Sequence, residues 1–150
     1  MIKLRTLGEI DRVVNNPVLK SANAVAQYTF LTDDGEVYLI ANSIAGDNAY
    51  IDDVTIPAGE FLNGFLVRSL ETQELVVDEK HITYGTGKSY DDLKVADPTA
   101  TPAVAATLLT IGNDGKLAVA VSAPESGLYF KVTDKCRLTG NAVVLKVMLA

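Results

Sequence analysis

Residues 25–41 read VAQYTFLTDDGEVYLIA, and this stretch decides the fold class. Two runs rich in β-branched and aromatic residues, Val25–Leu31 and Glu36–Ala41, flank Asp33-Asp34-Gly35. An Asx-Gly pair at a chain reversal supplies the positive-φ positions of a tight hairpin, so the spacing predicts two antiparallel strands. In the first arm Gln27 and Thr29 alternate with Tyr28 and Phe30, which predicts one buried face and one solvent face. A second stretch repeats the pattern: Thr107–Ile111, then Asn113-Asp114-Gly115, then Lys116–Val121.

Working outward, further strands are expected at Ala49–Ile56, Glu60–Val67, Leu75–Asp78, His81–Tyr84, Leu128–Thr133 and Ala142–Leu149. Pro57-Ala58-Gly59 and Pro124-Glu125-Ser126-Gly127 punctuate neighbouring strands with turn chemistry. Turn signals this closely spaced belong to an all-β protein, a compact antiparallel β-sandwich or barrel. Leu7, Ile10 and Val14 form the only helical stripe, ended by Asn15-Asn16-Pro17, and support one or two turns.

The division expected along the chain is an N-terminal arm over 1–24, a β unit over 25–84, a Pro/Thr-rich loop or linker over 85–104, and a β unit over 105–150. The whole reads as one compact domain, with two small β units as the alternative. Loops beyond about 12–15 residues are uncommon unless they serve a function or are disordered.

Composition sets the bounds. The chain has 150 residues, 48% of them hydrophobic, which is enough apolar surface for a core without disulfides or metal. One Cys and one His exclude disulfide scaffolds and thiolate zinc sites. No apolar run follows the charged first twelve residues, so no secretory signal is expected, and no stretch is long and apolar enough for a membrane helix. Synthesis in a cytoplasm follows from that reading. The net charge of −6 lies wholly in residues 1–75, which hold 5 basic and 11 acidic side chains. An acidic pole argues against nucleic acid as a partner, because phosphate contacts need clustered Lys and Arg.

Motifs for chemistry are sparse. Gly85-Thr86-Gly87-Lys88-Ser89 lacks the earlier glycine of a phosphate loop, since Ile82 stands there, and no helix is expected after it. The two Asx-Asp-Gly turns lack the further oxygen ligands of a calcium loop. His81 is the one candidate neutral-pH base, and Cys136 sits between Lys135 and Arg137, but no nucleophile motif surrounds either. Catalytic, cofactor-binding and metal-ligating residues are therefore assigned to none, and the chain is expected not to be an enzyme. The aromatic residues are spread over strands, as packing requires, rather than clustered as a stacking platform.

One resemblance adds to this reading. Asp134–Ala150 (DKCRLTGNAVVLKVMLA), with Gly140–Val147 as its strand, resembles the end of small head-decoration, or capsid cement, proteins of tailed bacteriophages. The middle of the chain, from Val54-Thr55-Ile56-Pro57-Ala58-Gly59 to Leu75–Ile82, also resembles small phage head proteins. The resemblance implies a non-enzymatic virion protein on the capsid surface, with the major capsid protein as partner and a homotrimer as assembly. Candidate assembly contacts fall in the arm and the loop: Ile2, Leu4, Leu7, Val18, Leu19, Tyr90, Leu93 and Val95. Strand addition at a sheet edge would give directional attachment without a cofactor. Other phage structural modules (head fibre, tail or baseplate) and a carbohydrate- or receptor-binding β-sandwich are the alternatives.

Overall fold

The computed structural model describes residues 2–4, 15–41, 54–70, 74–137 and 140–150. Its first hairpin is built on the Asp34-Gly35 pair, whose φ values of 49° and 77° suit the turn that joins strands paired Asp33 with Glu36. Such a turn matches the natural twist of strands, so the apolar runs on either side zip together.

Thirteen strands are described: β1 (Ile2–Leu4), β2 (Asn15–Lys20), β3 (Val25–Ala26), β4 (Phe30–Asp33), β5 (Glu36–Ile40), β6 (Thr55–Ile56), β7 (Phe61–Leu66), β8 (Glu74–Asp78), β9 (Ile82–Thr83), β10 (Leu108–Ile111), β11 (Leu117–Ala120), β12 (Leu128–Arg137) and β13 (Asn141–Leu149). Among the described residues the only helical pieces are short 3-10 turns at Val67–Leu70, Glu79–His81 and Tyr90–Asp92. The protein is all-β, with two curled sheets in the manner of a β-sandwich or barrel.

The larger sheet has seven strands in the order β1-β8-β13-β12-β10-β11-β9, and the smaller has four in the order β2-β7-β5-β4. A two-stranded ribbon, β3-β6, is separate. Pairing is antiparallel except between β9 and β11, which run parallel. The seven-stranded sheet draws strands from both sides of residues 85–104, so the sheets do not divide where the loop does.

Two apolar clusters hold these layers together. The main one joins Phe30 and Leu39 of the small sheet to Leu75, Val77, Leu109, Leu117, Phe130, Val132, Val143, Leu145 and Val147 of the large one. The second gathers Leu19, Ile40 and Leu62 with Ile56 of the ribbon. In β5 successive residues alternate between them: Val37 and Leu39 meet the main core, Tyr38 and Ile40 the second. The small sheet is thus apolar on both faces, which explains the unbroken run VYLIA where a solvent-facing strand would alternate. Gly64 of β7 makes room for this, because a Cβ there would lie 3.0 Å from both Leu19 Cδ2 and Tyr38 Cβ.

Several expectations need correction. The strand expected over Val25–Leu31 breaks in the middle. Tyr28 takes a φ of 63°, Tyr28 N–H donates to the Ile40 carbonyl, and Gln27 N–H donates to the Val54 carbonyl. The break ends the alternation, so Gln27 is buried at 2% exposure instead of facing solvent. Of Ala49–Ile56, the described part is strand only at Thr55–Ile56. The helical stripe at Leu7–Val14 lies outside the described residues.

The stretch 85–104 carries local structure of its own. Lys88 N–H closes a turn on the Gly85 carbonyl, and Ser89 N–H donates to Asp92 Oδ2 at 2.8 Å. Asp97 and Val104 exchange backbone hydrogen bonds, and Leu93 is 2% exposed. The glycine loop leads into a three-residue 3-10 turn and not into the helix that a phosphate loop requires.

Candidate assembly surface

β11 is paired with β10 along its whole length, but on its other side β9 covers only Leu117 and Ala118. From Val119 onward that edge has no strand partner among the described residues. Val119 is 42% exposed and Val121, just past the strand, is fully exposed. Residues 118–121 read AVAV, without the Lys or Pro that commonly blunts a sheet edge. Lys116 and Pro124 stand outside the stretch on either side. An unpaired row of backbone N–H and C=O groups with apolar side chains is a template for another strand.

The register explains why the edge is apolar. Val119 lies opposite Leu109, and Leu109 lies opposite Phe130, so Val119 continues a row that is fully buried further into the sheet. It becomes exposed because the row ends there. The outward face of the same sheet is different in character. Lys131 of β12 lies directly opposite Lys146 of β13, and Lys146 lies opposite Glu74 of β8. Two like charges opposite one another oppose strand pairing by a few tenths of a kcal/mol, roughly.

Of the eight contact residues expected from the sequence, three are core. Ile2 is 5% exposed, Leu19 4% and Leu93 2%, so in this conformation their side chains offer no surface to a partner. The physical reason is pairing: β1 lines β8, β2 lines β7, and Leu93 packs into the main cluster. Leu4 and Val18 hold positions in β1 and β2, while their side chains, like Leu7, lie outside the described residues. Tyr90 is half-buried and Val95 is 36% exposed. Ile2, Leu19 and Leu93 are therefore not surface residues in this structure.

Tyr90 instead ties the loop to the large sheet. Its hydroxyl donates to the Ala142 carbonyl at 2.8 Å, and Lys135 Nζ donates to the Tyr90 carbonyl while lying 4.5 Å from the ring centroid. Burial first, then the nearby Cys136, pushes the Tyr90 phenol above its ordinary value. A register shift between Val132 and Asp134 precedes Lys135 on β12.

The remaining sequence candidates take structural positions. His81 packs edge-on against Tyr28, with ring centroids 5.7 Å apart. Cys136 is half-buried on β12, opposite Ala142. Among the described residues no group of three or more His, Cys, Asp or Glu could hold a metal ion. Phe61 is the one exposed aromatic among the described residues, at 57%, and Lys20 Nζ sits 4.2 Å over its ring. Sequence reasoning missed the β11 edge, although the run LAVAV, apolar at alternate and intervening positions after a turn, was the available signal.

No family model matches the sequence, and searches of curated proteins and of solved structures returned no match.

Proposed function

We propose that this chain is a non-enzymatic virion structural protein of the capsid decoration type. In this reading it binds the outside of a phage capsid shell, with the major capsid protein as partner, and stabilises the shell as a homotrimer. The observation that supports it best is the uncovered β11 edge. Strand addition there supplies directional backbone hydrogen bonds, each worth about 0.5–1.5 kcal/mol net, while Val119 and Val121 lose their contact with water. A head-to-tail contact of this kind closes into a ring when its rotation allows, as a trimer requires.

The resemblance at residues 134–150 supports the same reading. Its strand, β13, lies inside the large sheet between β8 and β12, and Ala142–Leu145 are all buried. The shared pattern therefore describes the framework of the fold.

The test combines particle mass with shell binding. Light scattering is expected to give three times the chain mass, and the protein is expected to co-sediment with emptied capsid shells of the phage that encodes it. A monomer that stays in the supernatant would sink the proposal.

A further inference from the structure

A head-to-tail contact needs two different surfaces on each copy, and the β11 edge is only one of them. A hollow of about 390 Å³ lies where the two Asx-Gly hairpins meet. Phe30, Leu31 and Val37 of the first hairpin and Ile111 of the second give it apolar walls. Thr32 and Asn113, both exposed, line it as well.

The β4 wall of the hollow also carries backbone hydrogen-bonding groups. The two-residue Asp34-Gly35 turn makes Asp33 and Glu36 a hydrogen-bonded pair. Bonds to β5 therefore come from Asp33 and Leu31, while Phe30 and Thr32 turn their backbone groups away from β5. Phe30 shows this directly, since its N–H donates to the Gly115 carbonyl at 2.9 Å. Thr32 turns its N–H and carbonyl the same way, beside the hollow. The same alternation applies to β11. Gly112 N–H donates to the Lys116 carbonyl at 2.8 Å, so Ala118 and Ala120 bond toward β10. Val119 between them turns its N–H and carbonyl outward.

We infer that the β4 edge and this hollow receive the β11 edge of a second copy. The inference rests on the homotrimer of the proposed function and names the surface that such a trimer uses. Val119 and Thr32 exchange two backbone hydrogen bonds. The Val121 side chain, two residues on and on the same face as Val119, enters the hollow. Val121 is fully exposed in the single chain, so its burial against Phe30, Val37 and Ile111 favours association. Its own hollow is out of reach. Val121 stands five residues along the chain from Lys116, which pairs with Gly112 at the hollow, a span of about 16 Å at roughly 3.3 Å per residue. A second copy supplies the occupant without any further component, because every copy carries both surfaces. Different surfaces meeting head to tail close into a ring when the rotation allows.

The test is cross-linking with a short bis-maleimide in a Cys136→Ser background whose fold is checked by circular dichroism. Thr32→Cys and Val121→Cys both change exposed positions. Refolded together from urea, the two single variants are expected to give a covalent dimer, and neither is expected to cross-link alone. The double variant is expected to give covalent trimers. Cross-linking of Val121→Cys alone would show two β11 edges paired with each other and would overturn the inference. A trimer by light scattering whose mixed variants stay unlinked would overturn this docking site and leave the trimer standing, whereas a monomer would remove both. Thr32→Trp in the otherwise native chain gives a second readout. It crowds the hollow and leaves the β11 edge intact, so the particle mass should fall from three chains to one. An unchanged mass with the fold retained would overturn the inference.

Discussion

Gly35 and Gly115 close two turns with the same backbone sign in opposite surroundings. At Gly35 φ is +77° and a Cβ would meet nothing within 4 Å, so Gly35→Ala should cost only the left-handed penalty, about 1 kcal/mol. At Gly115 φ is +78° and a Cβ would lie 2.8 Å from the Phe30 carbonyl oxygen, so Gly115→Ala adds a backbone clash. We expect about 3 kcal/mol there, measured by urea unfolding, and equal losses in the two variants would contradict the close approach. Tyr84 allows a second residue-scale test. Burial, then Glu79 and Tyr90, push its phenol up to about 12, and its hydroxyl donates to the Glu79 carbonyl. A folded-state value above the unfolded one means that the contribution to stability is intact below about pH 10 and is lost as pH rises toward 12. Ultraviolet titration should show a tyrosine ionising near pH 12, and Tyr84→Phe should remove that late step and flatten the alkaline loss of stability. Turn residues such as Gly35 were legible in the sequence because their chemistry is local. Tyr28 was not, because an aromatic residue at positive φ goes against its own preference and is imposed by bonds to Ile40 and its packing with His81.

At the scale of elements, strands marked by β-branched or aromatic runs between turn residues could be read directly. Both Asx-Gly hairpins formed, and β7 lies within its expected stretch; β8 and β13 begin one residue before theirs, and β12 continues past Thr133 to Arg137. The parallel contact of β9 with β11 joins residues more than thirty positions apart, and no local pattern announces it. The 85–104 segment shows the same limit. Its composition says loop, yet Leu93 is buried in the main core while Val95 is exposed. Leu93→Ala should therefore cost about 2–5 kcal/mol and Val95→Ala less than about 0.5, compared by denaturant midpoint. Comparable small losses in both would show that the loop does not pack. The arm shows a related limit: apolar residues in a polar segment look like contacts, but Ile2 and Leu19 are buried because β1 and β2 join sheets. Charge at the β11 edge blocks strand addition. Val119→Lys with Val121→Lys should leave the unfolding midpoint nearly unchanged and lower the particle mass, read by analytical ultracentrifugation. An unaltered mass would move the contact away from this edge.

At the scale of the molecule, the large sheet interleaves strands from both sides of residues 85–104 and shares one main core with the small sheet. Unfolding followed by tyrosine fluorescence and by far-ultraviolet circular dichroism should give one coincident transition, whereas two separated midpoints would favour independent β units. The small sheet raises a different problem for the chain as a whole. A strand with one wet side tells the folding chain which way to face, since sliding it by one residue would drown its apolar set. β5 is apolar on both sides: Tyr38 and Ile40 enter one cluster while Val37 and Leu39 enter the other. Hydropathy alone would tolerate the slip. Alignment must then be encoded by shape, and two features supply it. The two-residue Asp34-Gly35 turn counts off the pairing with β4, and the notch at Gly64 admits the Tyr38 side-chain root where a Cβ would stand 3.0 Å away. The missing side chain works as a key for the correct alignment, and it lies in a strand where glycine would otherwise be only a weakness.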